Sequence, residues 1–118
     1  MKPLHVELER FRVIAGKEEK AREWMAFLNH HLAEVIETLP GEKMYVESIF
    51  EEVIEGTMYL YWVSYQGMSA SEVEFSDAYV DKKHLEYWKE CIDPAYGEHL
   101  LKTNVVMIQE KIKKEMND

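Results

Sequence analysis

Apolar and polar side chains alternate from Leu4 to Ile14 (LHVELERFRVI), with branched and aromatic residues among them, which is the period-two pattern of a half-buried strand. Gly16 interrupts it. From Lys17 to Leu39 the apolar positions become Ala21, Trp24, Leu28, Leu32, Val35 and Leu39, spaced by three or four. That spacing predicts one amphipathic helix, with Glu18 and Glu19 suited to its first turn and Pro40-Gly41 as its stop. Two β-rich runs, Lys43 to Ile54 and Thr57 to Gly67, flank Glu55-Gly56 and predict a hairpin. Its register pairs Val53 with Met58, Glu51 with Leu60, Ile49 with Trp62 and Glu47 with Ser64. One face then carries Val46, Ser48, Phe50, Tyr59, Tyr61, Val63 and Tyr65 and is expected to lie under helices. The other mixes Ile49, Val53, Met58, Leu60 and Trp62 with Tyr45, Glu47, Glu51, Ser64 and Gln66, too apolar to be left bare and too acidic for a dry core.

Met68 to Ser76 is small and polar and reads as a loop of a length that often covers a site. A second helix is expected from Asp77 or Asp81 to Ile92, with Leu85, Trp88 and Ile92 on one face and Asp93-Pro94 ending it. The last segment, His99 to Met116, has two readings. Leu101, Val105, Ile108, Ile112 and Met116 fit a helical stripe, whereas Thr103 to Ile108 would serve as a buried strand; we read a short strand running into a helix or tail.

The 118 residues are expected to form one domain, residues 1–118, and 47% hydrophobic content is ordinary for a globular chain. A chain of this size buries roughly 65% of its unfolded surface, enough for a core. The net charge of −9, with no dense basic stretch, excludes nucleic acid as a partner held through its phosphates. Lys111-Ile112-Lys113-Lys114 is too short for a phosphate tract and reads as a solvated helix face. Cys91 is the only cysteine, so no intrachain disulfide forms. The first residues reach acids at once and the longest plainly apolar run is Met58 to Val63, so neither a signal peptide nor a membrane partner is expected and the protein reads as cytoplasmic. No Gly-rich phosphate loop, nucleophile elbow or paired-Cys motif occurs, which removes nucleotide-binding, serine-hydrolase and zinc-ribbon classes. Neither a cofactor nor a metal is implied.

The order strand, long helix, hairpin, helix, short strand is the βαββαβ plan of the ferredoxin-like fold, an α+β antiparallel sheet with helices on one face. At this size it resembles the dimeric α+β barrel proteins, in which the open sheet face of one subunit packs on that of its twin. The stretch His84-Leu85-Glu86-Tyr87-Trp88-Lys89-Glu90-Cys91-Ile92-Asp93, following a Tyr-rich hairpin, also resembles a family of small bacterial proteins of unknown function. The barrel resemblance implies a homodimer and, among known activities, cofactor-free or haem-dependent monooxygenases and isomerases of small ring lactones. The haem-degrading branch has an Asn on the first strand, a Trp on the sheet and a His on the second helix. Trp62 and His84 answer to the last two, but the first strand offers His5, Glu7 and Glu9 and no Asn.

Among candidate chemistries, Glu47 and Glu51 flank Trp62 on the mixed face, where His5, Glu7 and Glu9 can join them. An aromatic floor with carboxylate walls suits a cation or amine, or supplies a general base raised by burial. Carboxylates that close need partners, and Arg10 and Arg12 are the expected ones in a salt-bridged rim. Tyr45, Tyr59, Tyr61 and Tyr65 can bond a ligand or simply bury their rings. His30 and His31 are adjacent on a helix and cannot grip one metal together. His30 with Glu34, and Asp77, Asp81 and His84, have helical metal spacing but no completing ligand. Cys91 reads as a small core hydrophobe, two turns from His84 and out of reach of it. The reading is a homodimer formed over the mixed face that binds a small molecule in a cleft there, with Trp62, Glu47, Glu51 and Tyr45 as ligand-binding candidates. The alternative is a monooxygenase or isomerase of the dimeric barrel type, with Glu51 and His84 as catalytic candidates.

Overall fold

The computed structural model describes residues 4–67 and 78–116. The loop expected at Met68 to Ser76 lies outside the described residues. Strand β1 (Leu4–Arg12) leads through a Gly16 turn into helix α1 (Glu18–His30) and helix α2 (Leu32–Thr38), and a 3-10 turn at Pro40–Glu42 delivers the chain to β2 (Met44–Ile54) and β3 (Thr57–Gly67). Helix α3 (Tyr79–Cys91), the two-residue β4 (His99–Leu100) and the short α4 (Glu110–Glu115) follow. The strands form one antiparallel sheet in the order β2-β3-β1-β4, so each helical crossover skips a strand. This α+β architecture, an open four-stranded antiparallel sheet with helices packed on it, is compatible with the ferredoxin-like fold. Among the described residues no helix is long and apolar enough to cross a membrane.

The hairpin has the register read from sequence: Val53 pairs with Met58, Glu51 with Leu60, Ile49 with Trp62 and Glu47 with Ser64. Glu55 and Gly56 both hold positive φ, +50° and +78°, the left-handed pair that a two-residue turn needs to match strand twist. A bulge between Met44 and Val46 leaves Tyr45 as the extra residue.

The assignment of the two faces is reversed. Helices α1 and α3 cover the mixed face, burying Met58, Leu60 and Trp62 in one core with Phe11, Val13, Ala21, Trp24, Tyr87 and Cys91. The tyrosine face is the open one, and Phe50 is 59% exposed on it. Both faces hold similar apolar area, so alternation alone does not choose between them. The choice follows from side-chain shape: Met58, Leu60 and Trp62 fill space against the helices, whereas tyrosines place rings on a surface while their hydroxyls stay wet. The pairing of β1 is regular throughout, but its apolar residues change phase along it. Leu4, Val6 and Leu8 pair with Gly67, Tyr65 and Val63 on the open face, and Phe11 pairs with Leu60 on the covered one. At the other end of β1, Glu7 and Glu9 therefore face the helices.

The single helix expected over Lys17 to Leu39 breaks at His31, whose backbone (φ −104°, ψ 27°) leaves the helical region. The three-and-four spacing runs through the break without interruption, which is why it gives no sign of it. His31 rests beside Phe27 and Glu34, with His30 in solvent, as expected of boundary residues. On α3 the buried stripe is Val80, Asp81, Tyr87 and Cys91, and Leu85 and Trp88 are half-buried at its edge. Cys91 is a core residue, and loss of hydration pushes its thiol pKa up. The last segment is a short strand and a helix joined by an extended arm. Leu101 N–H donates to the Leu8 carbonyl at 2.9 Å, and beyond Thr103 the arm leaves the sheet edge with Val105, Val106 and Met107 exposed.

Candidate functional site

A cavity of about 930 Å³ opens between the sheet and the helices. Its position follows from the phase change in β1. Where Phe11 and Leu60 meet α1 and α3 the layers close, and where Glu9 and Glu47 replace apolar residues they stay apart. The sheet contributes Glu9, Phe11, Glu47 and Trp62, the first two helices contribute Met25, Leu28, Leu32 and Val35, and α3 contributes Asp81, His84 and Trp88. The aromatic wall is closely packed. Phe11 meets Trp88 edge to face at 4.7 Å, Trp62 lies 5.2 Å from Trp88, and Trp24 backs both from the core.

The electrostatics are lopsided. Six carboxylates, those of Glu9, Glu42, Glu47, Glu51, Asp81 and Glu98, line the cavity against the one cation Lys89 among its described lining residues. Arg10 and Arg12, expected to pair with these acids, do not. Arg12 holds Asp93 at 2.7 Å and Arg10 donates to the Tyr96 hydroxyl at 2.7 Å, because both arginines occupy the β1 positions that pair with open-face tyrosines. Glu51 sits at the rim, 3.8 Å from Arg22 of α1.

Three of these acids, Glu9, Glu42 and Glu47, hold their protons more tightly than a free carboxyl does. Loss of hydration, then a hydrogen bond and charge from Glu98, push Glu9 up to about 8, with Glu7 and Glu47 adding to the shift. Glu47 has solvent contact through the cavity but protein on most sides. Loss of hydration, with the charges of Glu42 and Asp81, raises it to about 7 against the opposing hydrogen bond from Trp62. Glu42 is raised mainly by lost hydration as well. His84 goes the other way, down to about 4, because lost hydration outweighs the charge of Asp81. Its Nδ1 accepts the Trp24 indole N–H at 3.0 Å, so the neutral ring carries its proton on Nε2.

Asp81 stands apart. Only 6% of its surface is exposed, and its Oδ2 has no hydrogen-bond partner among the described residues. Among the described residues no three His, Cys, Asp or Glu side chains converge as a metal-binding set.

The structure brings Trp62, Glu47, Glu51 and His84 to one cavity and leaves Tyr45 out of its lining, with the Tyr45 ring against Gly67. The cleft is under the helices, not on the open sheet face. Sequence reasoning joined Glu9 to this group and named Asp81 only for its metal spacing with His84; it missed Trp88 and Glu98 as members. For Asp81 a signal exists: it stands one turn before Leu85, an acid at a position that continues the Leu85, Trp88, Ile92 stripe.

Fold and cavity together define a small α+β protein of ferredoxin-like plan with an acid- and tryptophan-lined cavity between sheet and helices. Residues 4–114 match the model of a family of unknown function, DUF6176, and the chain belongs to that family. A search of curated proteins finds no match.

The raised carboxylates make stability depend on pH. Glu9 and Glu47 bind more protons folded than unfolded between their ordinary value of 4.5 and about 8 and 7, so their protonation stabilises the fold and that stability is lost as pH rises through this range. His84 acts oppositely, but only between about 4 and 6.5. Above pH 6.5 the carboxylates act without it. Urea unfolding at constant ionic strength is expected to give a lower midpoint at pH 8.5 than at pH 6.5, corresponding to an unfolding free energy smaller by ~1 kcal/mol after discounting for the water that reaches both groups. Equal midpoints would remove the protonated acids.

Proposed function

We propose that the protein is a homodimer that binds a small organic molecule in the cavity between its sheet and helices. Trp62 forms the floor, Glu47 the wall and Glu51 the rim. The cavity itself carries the reading. At about 930 Å³ it falls within the range of small-molecule sites, which combine apolar walls with a few fixed polar groups.

The open sheet face supports the dimer, with a second copy as its occupant. The three long strands alone offer roughly 500 Å² on that face, against the ~800 Å² per partner of a standard interface. The exposed apolar arm adds to it. The radius of gyration, 15.1 Å, exceeds the ~13.5 Å of a compact chain this long, in keeping with an arm built to reach a neighbour. Charge favours self-association as well. In a chain of −9 the open face carries Arg10 and Arg12 against Glu52, whose carboxylate already accepts the Tyr61 hydroxyl. The acids are concentrated on the other side.

A proton-transfer enzyme of the isomerase type is the second reading, favoured by one observation: a cavity carboxyl, Glu47, poised near pH 7. His84 suits a hydrogen-bond donor better than a base, since its Nδ1 is occupied and its Nε2 protonated. Haem does not fit. Its propionates would meet six carboxylates, and Arg10 and Arg12 face away from the cavity.

Native mass spectrometry of freshly purified, untagged protein tests the reading. The expected spectrum is a dimer with a small organic mass on each protomer, and Trp62→Phe with Glu47→Gln should shed that mass without losing the fold. A bare protein that also takes up no member of a fragment library by ligand-observed NMR would overturn it.

A further inference from the structure

Two parts of the chain are left uncovered, and they match. Strand β2 is an outer strand of the sheet, and among the described residues no strand lies beyond it. In a two-residue hairpin the residues flanking the turn, here Ile54 and Thr57, exchange both backbone hydrogen bonds and the pairs alternate from there, so the N–H and C=O groups of Val53, Glu51, Ile49 and Glu47 aim away from β3. A free edge of eleven residues that also exposes Val46, Phe50 and Val53 invites another strand. The second part is the arm, residues 101–109, which belongs to no strand or helix and leaves Val105 and Met107 exposed, Met107 by 87%. In a strand, alternate residues share a side, so Val105 and Met107 would form one apolar face. The arm has no acid and carries Lys102, whereas β2 brings Glu47, Glu51 and Glu52.

The mouth of the cavity lies along the same edge. Glu47 and Ile49 line it from the covered face of the sheet and Ser48 and Phe50 from the open face, which only an edge strand can do. Helix α2 buries none of its residues, and Leu32, which also lines the cavity, is left exposed.

Resting on the proposed homodimer, we propose that its arms are exchanged: residues 104–109 of each copy add as a strand to the partner's β2 edge, and the partner's Val105 and Met107 close the mouth of the cavity. The site is then incomplete in a single copy. With the two-fold axis along the strands, two open faces packed ~10 Å apart put β4 of one copy over β2 of the other. Because neighbouring strands of the sheet are antiparallel, those two run in opposite directions. About three residues at ~3.3 Å each cross the gap, which leaves residues 104–109 to pair. The exchange also adds buried area, since the open face alone falls short of the ~800 Å² per partner of a standard interface. A second copy suits the edge better than an unrelated strand, because one two-fold axis delivers two arms to two edges at once.

Isotope-filtered NMR on a mixture of labelled and unlabelled protein reads contacts between copies. The expected spectrum has cross-peaks from the Val105 and Met107 methyl groups of one copy to the Ile49 and Leu32 methyl groups of the other. The amides of Glu47, Ile49, Glu51 and Val53 should exchange slowly with solvent deuterium. Met107→Asp, at a side chain that touches little in the protomer, should weaken the dimer about 30-fold or more and free those amides to exchange. It should also raise acrylamide quenching of tryptophan fluorescence, since Trp62 and Trp88 line the cavity that the arm closes. The wild-type spectrum decides the exchange even if the variant does not fold. A dimer without those cross-peaks would overturn the arm exchange and leave the dimer standing. Quenching unchanged in a folded Met107→Asp protein that has lost the arm contact would overturn the partner's share in the cavity. A monomeric wild type would overturn both the exchange and the dimer.

Discussion

In the proposed open-face dimer, Phe50→Glu is expected to give a monomer, with an elution-independent mass falling from twice 14.0 kDa to 14.0 kDa at micromolar concentration. Phe50 is 59% exposed in the protomer, near the middle of β2, and pairs with Tyr61 on the open face. In the protomer it contributes little, so its loss should change unfolding stability by no more than about 0.5 kcal/mol. In a two-fold interface each substitution counts twice, since both copies present the same patch. Two buried carboxylates would then face an apolar surface, and a central aromatic of this kind typically carries 2 kcal/mol or more of binding, about 30-fold per copy. Light scattering on the wild type and the variant reads the outcome. A monomeric wild type would sink the dimer, and a dimeric Phe50→Glu would move the interface to another surface.

The same open face shows where sequence reading succeeds and where it stops. Hairpin register was legible because Glu55-Gly56 fixes the turn and strand periodicity fixes everything after it. Which face the helices cover was not, because Tyr59, Tyr61, Val63 and Phe50 are as apolar as Met58, Leu60 and Trp62. Only the partners across the layer, Trp24 and Tyr87 above all, decide it, and these contacts are distant in sequence. The mixed face, over which a dimer was expected, is the one the helices cover, while the residues gathered there, Trp62, Glu47 and Glu51, do share one cavity. Their mixed composition was the informative signal: acids interleaved with large apolar groups mark a wall that is neither core nor surface. Arginine pairing failed for a related reason. Arg10 and Arg12 alternate with Glu9 and Phe11 along β1, so the pleat sends them to the opposite face from the acids they were expected to balance. The break at His31 left no trace in the apolar spacing. The arm from Leu101 to Gln109 satisfied both a helical and a strand pattern and adopts neither.

The largest loss of stability is expected from Trp24→Ala, at about 3–5 kcal/mol, a large part of the 5–15 kcal/mol that holds a typical domain folded. Trp24 is fully buried where α1, α3 and the sheet meet, with Trp62 at 5.5 Å, Trp88 at 5.8 Å and Tyr87 stacked at 6.4 Å. Removing the indole opens a void that rigid rings cannot collapse to fill, which puts the cost toward the upper end of that range. Trp24→Phe separates packing from chemistry. It keeps most of the apolar surface and removes the N–H that His84 Nδ1 accepts, so urea unfolding should register about 1–2 kcal/mol, the cost of an unpaired polar group. His84 then responds in the site. With its Nδ1 freed and with water able to follow the smaller ring, its pKa should climb from about 4 toward the ordinary 6.5, a change readable from imidazole shifts in an NMR titration. An unmoved His84 in a folded Trp24→Phe protein would mean that lost hydration alone keeps the ring neutral. The indole would then serve the core and not the cavity.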